Sequence, residues 1–131
     1  MTTYNQSDMT KLNFLVGRWS GQGPDGKTFY EEYDFSEPTV FRSRRFPDSR
    51  FLEATDGSTV ELRGNQIIST WGEFTWEATT VTNGFVEFRP VNAPSSFSWR
   101  ETGPETVEVV QNWTDENGEA QHYTIALTRE R

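Results

Sequence analysis

The sequence predicts an all-β fold, a closed antiparallel up-and-down barrel with a short N-terminal helical turn. Three observations carry this. First, turn-forming pairs punctuate the chain at short intervals, among them Pro24-Asp25-Gly26, Pro47-Asp48, Asp56-Gly57, Asn83-Gly84 and Asn117-Gly118. Second, the runs of about five to ten residues between them are rich in β-branched and aromatic types, the signature of strands. Third, so many strands in one short chain close more naturally into a barrel than into an open sheet, because closure removes exposed edges.

The elements follow in order. Ser7 or Asp8 is placed to cap a helical turn whose apolar face holds Met9, Leu12 and Leu15 or Val16. It is expected to plug one end of the barrel. Strands are expected over 17–22, 27–35, 39–46, 50–55, 58–63, 65–71, 73–82, 85–90, 95–102, 105–114 and 119–130. Side-chain parity then assigns faces. Val107 and Val109 must share a face with Tyr123, Ile125 and Leu127. A two-residue Asn117-Gly118 turn would put the sets on opposite faces. A bulged Glu116-Asn117-Gly118 loop instead pairs Asp115 with Glu119, Gln111 with Tyr123 and Val109 with Ile125. Across a Ser36-Glu37-Pro38 connection, Phe29, Glu31, Tyr33 and Phe35 meet Phe41, Ser43 and Arg45, with Glu31 opposite Ser43 and diagonal to Arg45.

The 131 residues are read as one domain, 1–131, with no repeat or linker. A formal net charge of −8 disfavours nucleic acid and anionic lipid as partners. There is no cysteine, so disulfides and thiol chemistry are excluded. No basic and apolar leader opens the chain, and no apolar run could span a membrane. A cytoplasmic setting without membrane insertion is therefore expected. No nucleophile elbow, phosphate loop or metal-ligand cluster is present, and no cofactor or metal is assigned.

Aromatic residues make up 15% of the chain against a hydrophobic total of 33%. Such a core is built from few, large, rigid side chains. It either walls a ligand cavity or packs as a thin ordinary core. Trp76 and Trp99 are in phase with Phe74 and Phe97 and should point inward. Glu31 lies among aromatic neighbours and is costly to bury unpaired. It is either a ligand anchor or a structural ion pair with Arg45. Arg42, Arg44 and Arg45 form either a site for an acidic ligand or a solvated face with one arginine turned inward. Gln111 and Tyr123 either orient a ligand or satisfy each other. His122, the only histidine, should face outward by parity.

The segment Leu12-Asn13-Phe14-Leu15-Val16-Gly17-Arg18-Trp19-Ser20-Gly21 resembles the opening of calycin-type barrels, the group of lipocalins and fatty-acid-binding proteins. In that group a short helical turn leads into a Gly-x-Trp strand. The resemblance implies that an arginine of the last strand, here Arg129 or Arg131, covers Trp19 by a cation–π contact. The length is similar to that of small bacterial lipocalin-like domains. The same opening resembles that of nitrobindin-like haem barrels, which would imply a haem-ligating histidine on the last strand. His122 is the sole candidate.

The expected function is binding of a small, mostly apolar or amphipathic ligand: a fatty acid, a pigment or a polyketide-like metabolite. Phe29, Tyr33, Trp76 and Trp99 would line the walls. Glu31, Arg45, Gln111 and Tyr123 would orient the polar end. One alternative is a cofactor-independent cyclase or isomerase with Glu31 or Tyr123 in proton transfer. The others are a haem barrel and a filled structural barrel. The sequence leaves room for a homodimer.

Overall fold

The computed structural model describes residues 3–130. The chain opens with helix α1, Gln6–Met9, continued by a 3₁₀ turn over Thr10–Leu15. The cap is Asn5, not Ser7 or Asp8. Its side chain accepts from the backbone N–H of Ser7 at 3.0 Å and of Asp8 at 3.2 Å, and the Asp8 carboxylate accepts from the Asn5 N–H at 3.0 Å. This reciprocal box puts the acidic residue inside the first turn, where it also meets the helix dipole favourably. A 3₁₀ helix turns in about three residues, so side chains three apart line up. Met9, Leu12 and Leu15 have that spacing, and all three are fully buried. Val16 falls off the line and is exposed.

Ten strands follow: β1 Gly17–Gln22, β2 Thr28–Glu37, β3 Val40–Phe46, β4 Asp56–Arg63, β5 Gln66–Trp71, β6 Phe74–Thr82, β7 Phe85–Asn92, β8 Ser96–Gly103, β9 Thr106–Thr114 and β10 Ala120–Arg129. All neighbours are antiparallel, and β1 closes against β10 to complete an up-and-down barrel. The bulged turn before β10 forms as parity requires. Asp115 N–H donates to the Glu119 carbonyl at 2.9 Å, Gly118 is left-handed at φ 80°, and Val109 faces Ile125.

Three further expectations are corrected. The segment 50–55 is not a strand but part of a loop between β3 and β4. Asp48 accepts from the Arg50 N–H at 3.0 Å, and Phe51 is left-handed at φ 54°. The Phe51 ring packs 5.3 Å from Phe46 and 5.8 Å from Tyr30, so its apolar character anchors a loop. Asp56-Gly57, read as a turn, instead opens β4. A Cβ at Gly57 would come within 2.7 Å of the Ser43 carbonyl oxygen, so the glycine serves close strand approach. The β2–β3 register is also two residues from that expected. Glu37 pairs with Val40 past a bulge after Phe35, and Glu31 stands directly opposite Arg45.

Alternation of strand direction puts the helical turn at one end, where the Tyr4 N–H donates to the Asn65 carbonyl at 2.7 Å. Leu12, Leu15, Trp19, Ile67 and Leu127 belong to the core that fills this end. The loops 23–27, 47–55, 72–73, 93–95 and 115–119 ring the other end. Among the described residues, no helix is long and apolar enough to cross a membrane.

Candidate functional site

The closed end is built around Trp19. Its indole N–H donates to the Leu15 carbonyl at 2.8 Å, and the Arg129 guanidinium lies 4.3 Å from its ring centre. Arg131, the alternative partner, lies outside the described residues. Because Trp19 and its neighbours fill this end, open space can lie only toward the other.

There a cavity of about 360 Å³ opens between the loops. Phe29, Glu31, Tyr33, Arg45, Trp76, Trp99 and Gln111 all border it. Trp76 and Trp99 are buried, as their parity predicts. Phe97 stands between them, with ring centres 5.2 Å from Trp76 and 5.1 Å from Trp99, both edge-on. Tyr33 meets Trp99 edge-on at 5.8 Å. Edge-to-face contacts of this kind fix each ring against the next. The wall is therefore rigid before any ligand arrives.

Glu31 makes the pair expected of it. One carboxylate oxygen accepts from the Tyr33 hydroxyl at 2.8 Å, and the other lies 3.3 Å from the Arg45 guanidinium. Arg45 also lies 4.3 Å from the Phe29 ring centre. Burial pushes the Tyr33 phenol well above its ordinary value. The Glu31 carboxylate adds to the rise, while the Trp99 indole and Arg45 oppose it. Tyr33 is thus a standing donor to Glu31. The neighbouring arginines face outward: Arg42 binds Asp34 at 2.6 Å, and Arg44 binds Glu32, which also accepts from Arg18. The basic segment is a solvated face with one arginine turned inward.

Tyr123 is the exception. It pairs with Gln111 in register, yet it borders a different hollow, a groove along the seam between β1 and β10. Those two strands pair only at Trp19–Arg129 and Ser20–Thr128, and β1 ends two residues later at Gln22. Tyr123 lies beyond that level, with β9 on one side and no paired strand on the β1 side. His122 is exposed and opposite in parity to Tyr123 and Ile125. It points away from the cavity.

Other residues at the cavity carry no motif. Ser43, Ser58 and Ser69 face inward from β3, β4 and β5. Asp56 and Trp71 meet at the mouth, where the indole N–H lies 2.8 Å from both carboxylate oxygens. The serines were findable by phase alone: Ser43 is two residues from Phe41, Ser58 two from Val60, and Ser69 two from Ile67. No group of three or more His, Cys, Asp or Glu is placed to hold a metal among the described residues.

No family model matches this chain, and no curated protein matches it in sequence. Among solved structures it is similar to Rv2717c from M. tuberculosis, at 13% identity and a TM-score of 0.56, over 95% of this chain and 98% of that one. It is also similar to a redesigned β-barrel, at 14% identity and a TM-score of 0.42, over 92% and 96%. A third is EF1p2_mFAP2b bound to DFHBI, at 14% identity and a TM-score of 0.45, over 93% and 98%. At these identities the likeness to Rv2717c is one of fold.

Proposed function

We propose that this protein binds a small, mostly apolar molecule in the aromatic end of its barrel. The observation that carries the reading is the cavity itself. Protein interiors hold few voids larger than a water. At ~24 cal/mol per Å³, a sealed and empty void of 360 Å³ would cost on the order of 9 kcal/mol, comparable to a whole domain's stability. A space of that size persists only if water or a ligand occupies it through the mouth. Its rigid rings favour a ligand, because a preformed wall loses little entropy on binding. Phe29, Tyr33, Trp76 and Trp99 supply walls, and Glu31, Arg45 and Gln111 the polar border. Tyr123 is left out of this set. The absence of cysteine supports a cytoplasmic setting.

Native mass spectrometry of freshly purified protein, with tryptophan fluorescence titrations against a lipid and metabolite panel, tests the reading. A co-purifying small molecule or saturable quenching is the expected result. Absence of both, with no thermal shift across the panel, overturns it in favour of a structural barrel. An absorbance scan checks haem in the same sample, although His122 offers no ligand to the cavity.

The Tyr33–Glu31 hydrogen bond favours a second reading, a cofactor-independent isomerase or cyclase in which Glu31 moves a proton. Glu31→Gln should then abolish turnover while keeping ligand binding. Unchanged turnover in that variant removes the catalytic reading.

A further inference from the structure

The cavity has two unlike walls, and the difference specifies a ligand. Strands β6 to β10 contribute Trp76, Phe97, Trp99, Val109 and Ile125. The Trp76 indole N–H is already used, donating to the Ser95 carbonyl at 2.7 Å, and the Trp99 ring meets Tyr33 edge-on. Apart from the Gln111 amide on β9, this wall presents ring faces, ring edges and alkyl groups.

The β3–β5 side is a stripe of hydroxyls. Ser43 and Ser58 are opposite in register, and their hydroxyl oxygens are 2.6 Å apart. One of the two donates to the other, which leaves one hydroxyl proton unspent. Ser69 stands one strand further on, across from Val60. It is only 2% exposed, and its hydroxyl has no hydrogen-bond partner among the described residues. Its oxygen is not sealed off but opens on the cavity, where water or a ligand edge can take up the hydrogen bond. Asp56 and Glu31 continue the stripe toward the mouth with acceptor capacity left over, since a carboxylate takes about four hydrogen bonds.

The charges exclude one ligand class. Among the described residues Arg45 is the only cation on the cavity wall, and it is held by Glu31 and by the Phe29 ring. Glu31 and Asp56 together outnumber it. A fatty-acid carboxylate would find no free cation and would face a like charge.

We infer that the ligand is a flat ring compound, apolar on its faces, with neutral hydroxyl groups along the edge that lies on Ser43, Ser58 and Ser69. This rests on the binding reading above and narrows it. The ring faces stack on the β6–β10 wall while the polar edge satisfies the serines.

Three probes test it by calorimetry and tryptophan quenching: the polyhydroxylated flavone quercetin, its unsubstituted parent flavone, and palmitate. Quercetin should bind at least tenfold tighter than flavone, and palmitate weakest. Ser69→Ala should weaken quercetin about threefold to tenfold, the loss of one neutral hydrogen bond, and leave flavone unchanged. If Ser69→Ala fails to fold, Ser58→Ala reads the same stripe. Equal affinity for quercetin and flavone, palmitate ranking first, or equal losses for both flavones in the variant would each overturn the inference while leaving the binding reading intact. Binding of none of the three overturns it too, and the wider panel then decides the binding reading separately.

Discussion

The Arg129 guanidinium covers the Trp19 ring at 4.3 Å, and both side chains also cap the same turn of backbone. Arg129 Nη1 donates to the Val16 carbonyl at 2.8 Å and Nη2 to that of Phe14 at 3.4 Å, while Trp19 Nε1 takes the Leu15 carbonyl. The end of the 3₁₀ turn would otherwise leave these acceptors without partners. Gly17 completes the arrangement. It has φ +135°, and a Cβ there would overlap the Arg129 guanidinium. The Gly-x-Trp segment and the terminal arginine are therefore one device: the ring plugs the barrel, and the guanidinium ties the last strand to the first turn.

Arg129→Leu should lower stability by about 2–4 kcal/mol, the cation–π contact plus the uncapped carbonyls. Arg129→Lys should recover only part, because one ammonium cannot both cover the ring and reach two carbonyls. Urea denaturation measures both. A midpoint for Arg129→Leu equal to that of the parent would reduce the contact to decoration.

Acid should weaken the fold through its outer face. The Arg42 guanidinium holds the Asp34 carboxyl below the usual range, and the backbone N–H of Glu119, then Gln121, does the same for Asp115. Both folded values lie below the unfolded ones, so their stabilisation is whole above the unfolded carboxylate range near pH ~4. It is lost as pH falls through the folded values. The urea midpoint should stay flat from neutral pH to about 5 and decline below that. Asp34→Asn should flatten part of that decline and cost under about 1 kcal/mol at neutral pH, as befits a half-exposed pair. A decline of the same size in Asp34→Asn would assign the acid sensitivity elsewhere.

Tyr33 should govern the alkaline limit. Its folded pKa is raised, so the protonated phenol is the form the fold prefers. That contribution is complete below the unfolded value of about 10 and disappears as pH rises from there through the folded value. Ionisation of Tyr33 should coincide with loss of far-UV dichroism. Tyr33→Phe should push alkaline unfolding to higher pH. Ionisation of Tyr33 with the far-UV dichroism unchanged would contradict this.

What could be read in advance follows from which signals are local. The bulged turn at Gly118 was legible because two apolar sets had to share a face, and a two-residue turn would have separated them. The inward turn of Arg45 was legible for the same reason. The β2–β3 register was not. Parity is blind to a shift of two residues, so Glu31 opposite Ser43 and Glu31 opposite Arg45 satisfy the same pattern. Gly57 misled because a glycine that permits close strand approach looks like one that makes a turn. Ser43 was given its face but no role, and Ser58 and Ser69 were overlooked because a small polar residue in a strand reads as outward-facing unless its phase is checked. Tyr123 has the right partner, but nothing local records that β1 stops short beside it.

Phe51 offers a test in which the usual order of substitutions reverses. It is the one non-glycine residue with positive φ among the described residues, at 54°. That conformation costs an L residue about 1–2 kcal/mol. The ring offsets the cost through Phe46 and Tyr30, and the Arg18 guanidinium lies 4.7 Å from its centre. Both Phe51→Ala and Phe51→Gly lose the ring, but only alanine keeps the strained backbone. Glycine should therefore be the milder replacement by about 1 kcal/mol, opposite to its rank in regular structure. The loop is tied to a strand that lines the cavity, since the Thr55 N–H donates to the Arg45 carbonyl at 2.8 Å. Limited proteolysis within 47–55 should accelerate in both variants, and more in Phe51→Ala. If alanine proves milder than glycine, the loop relaxes out of the left-handed conformation once the ring is gone, and the ring rather than the turn holds it there.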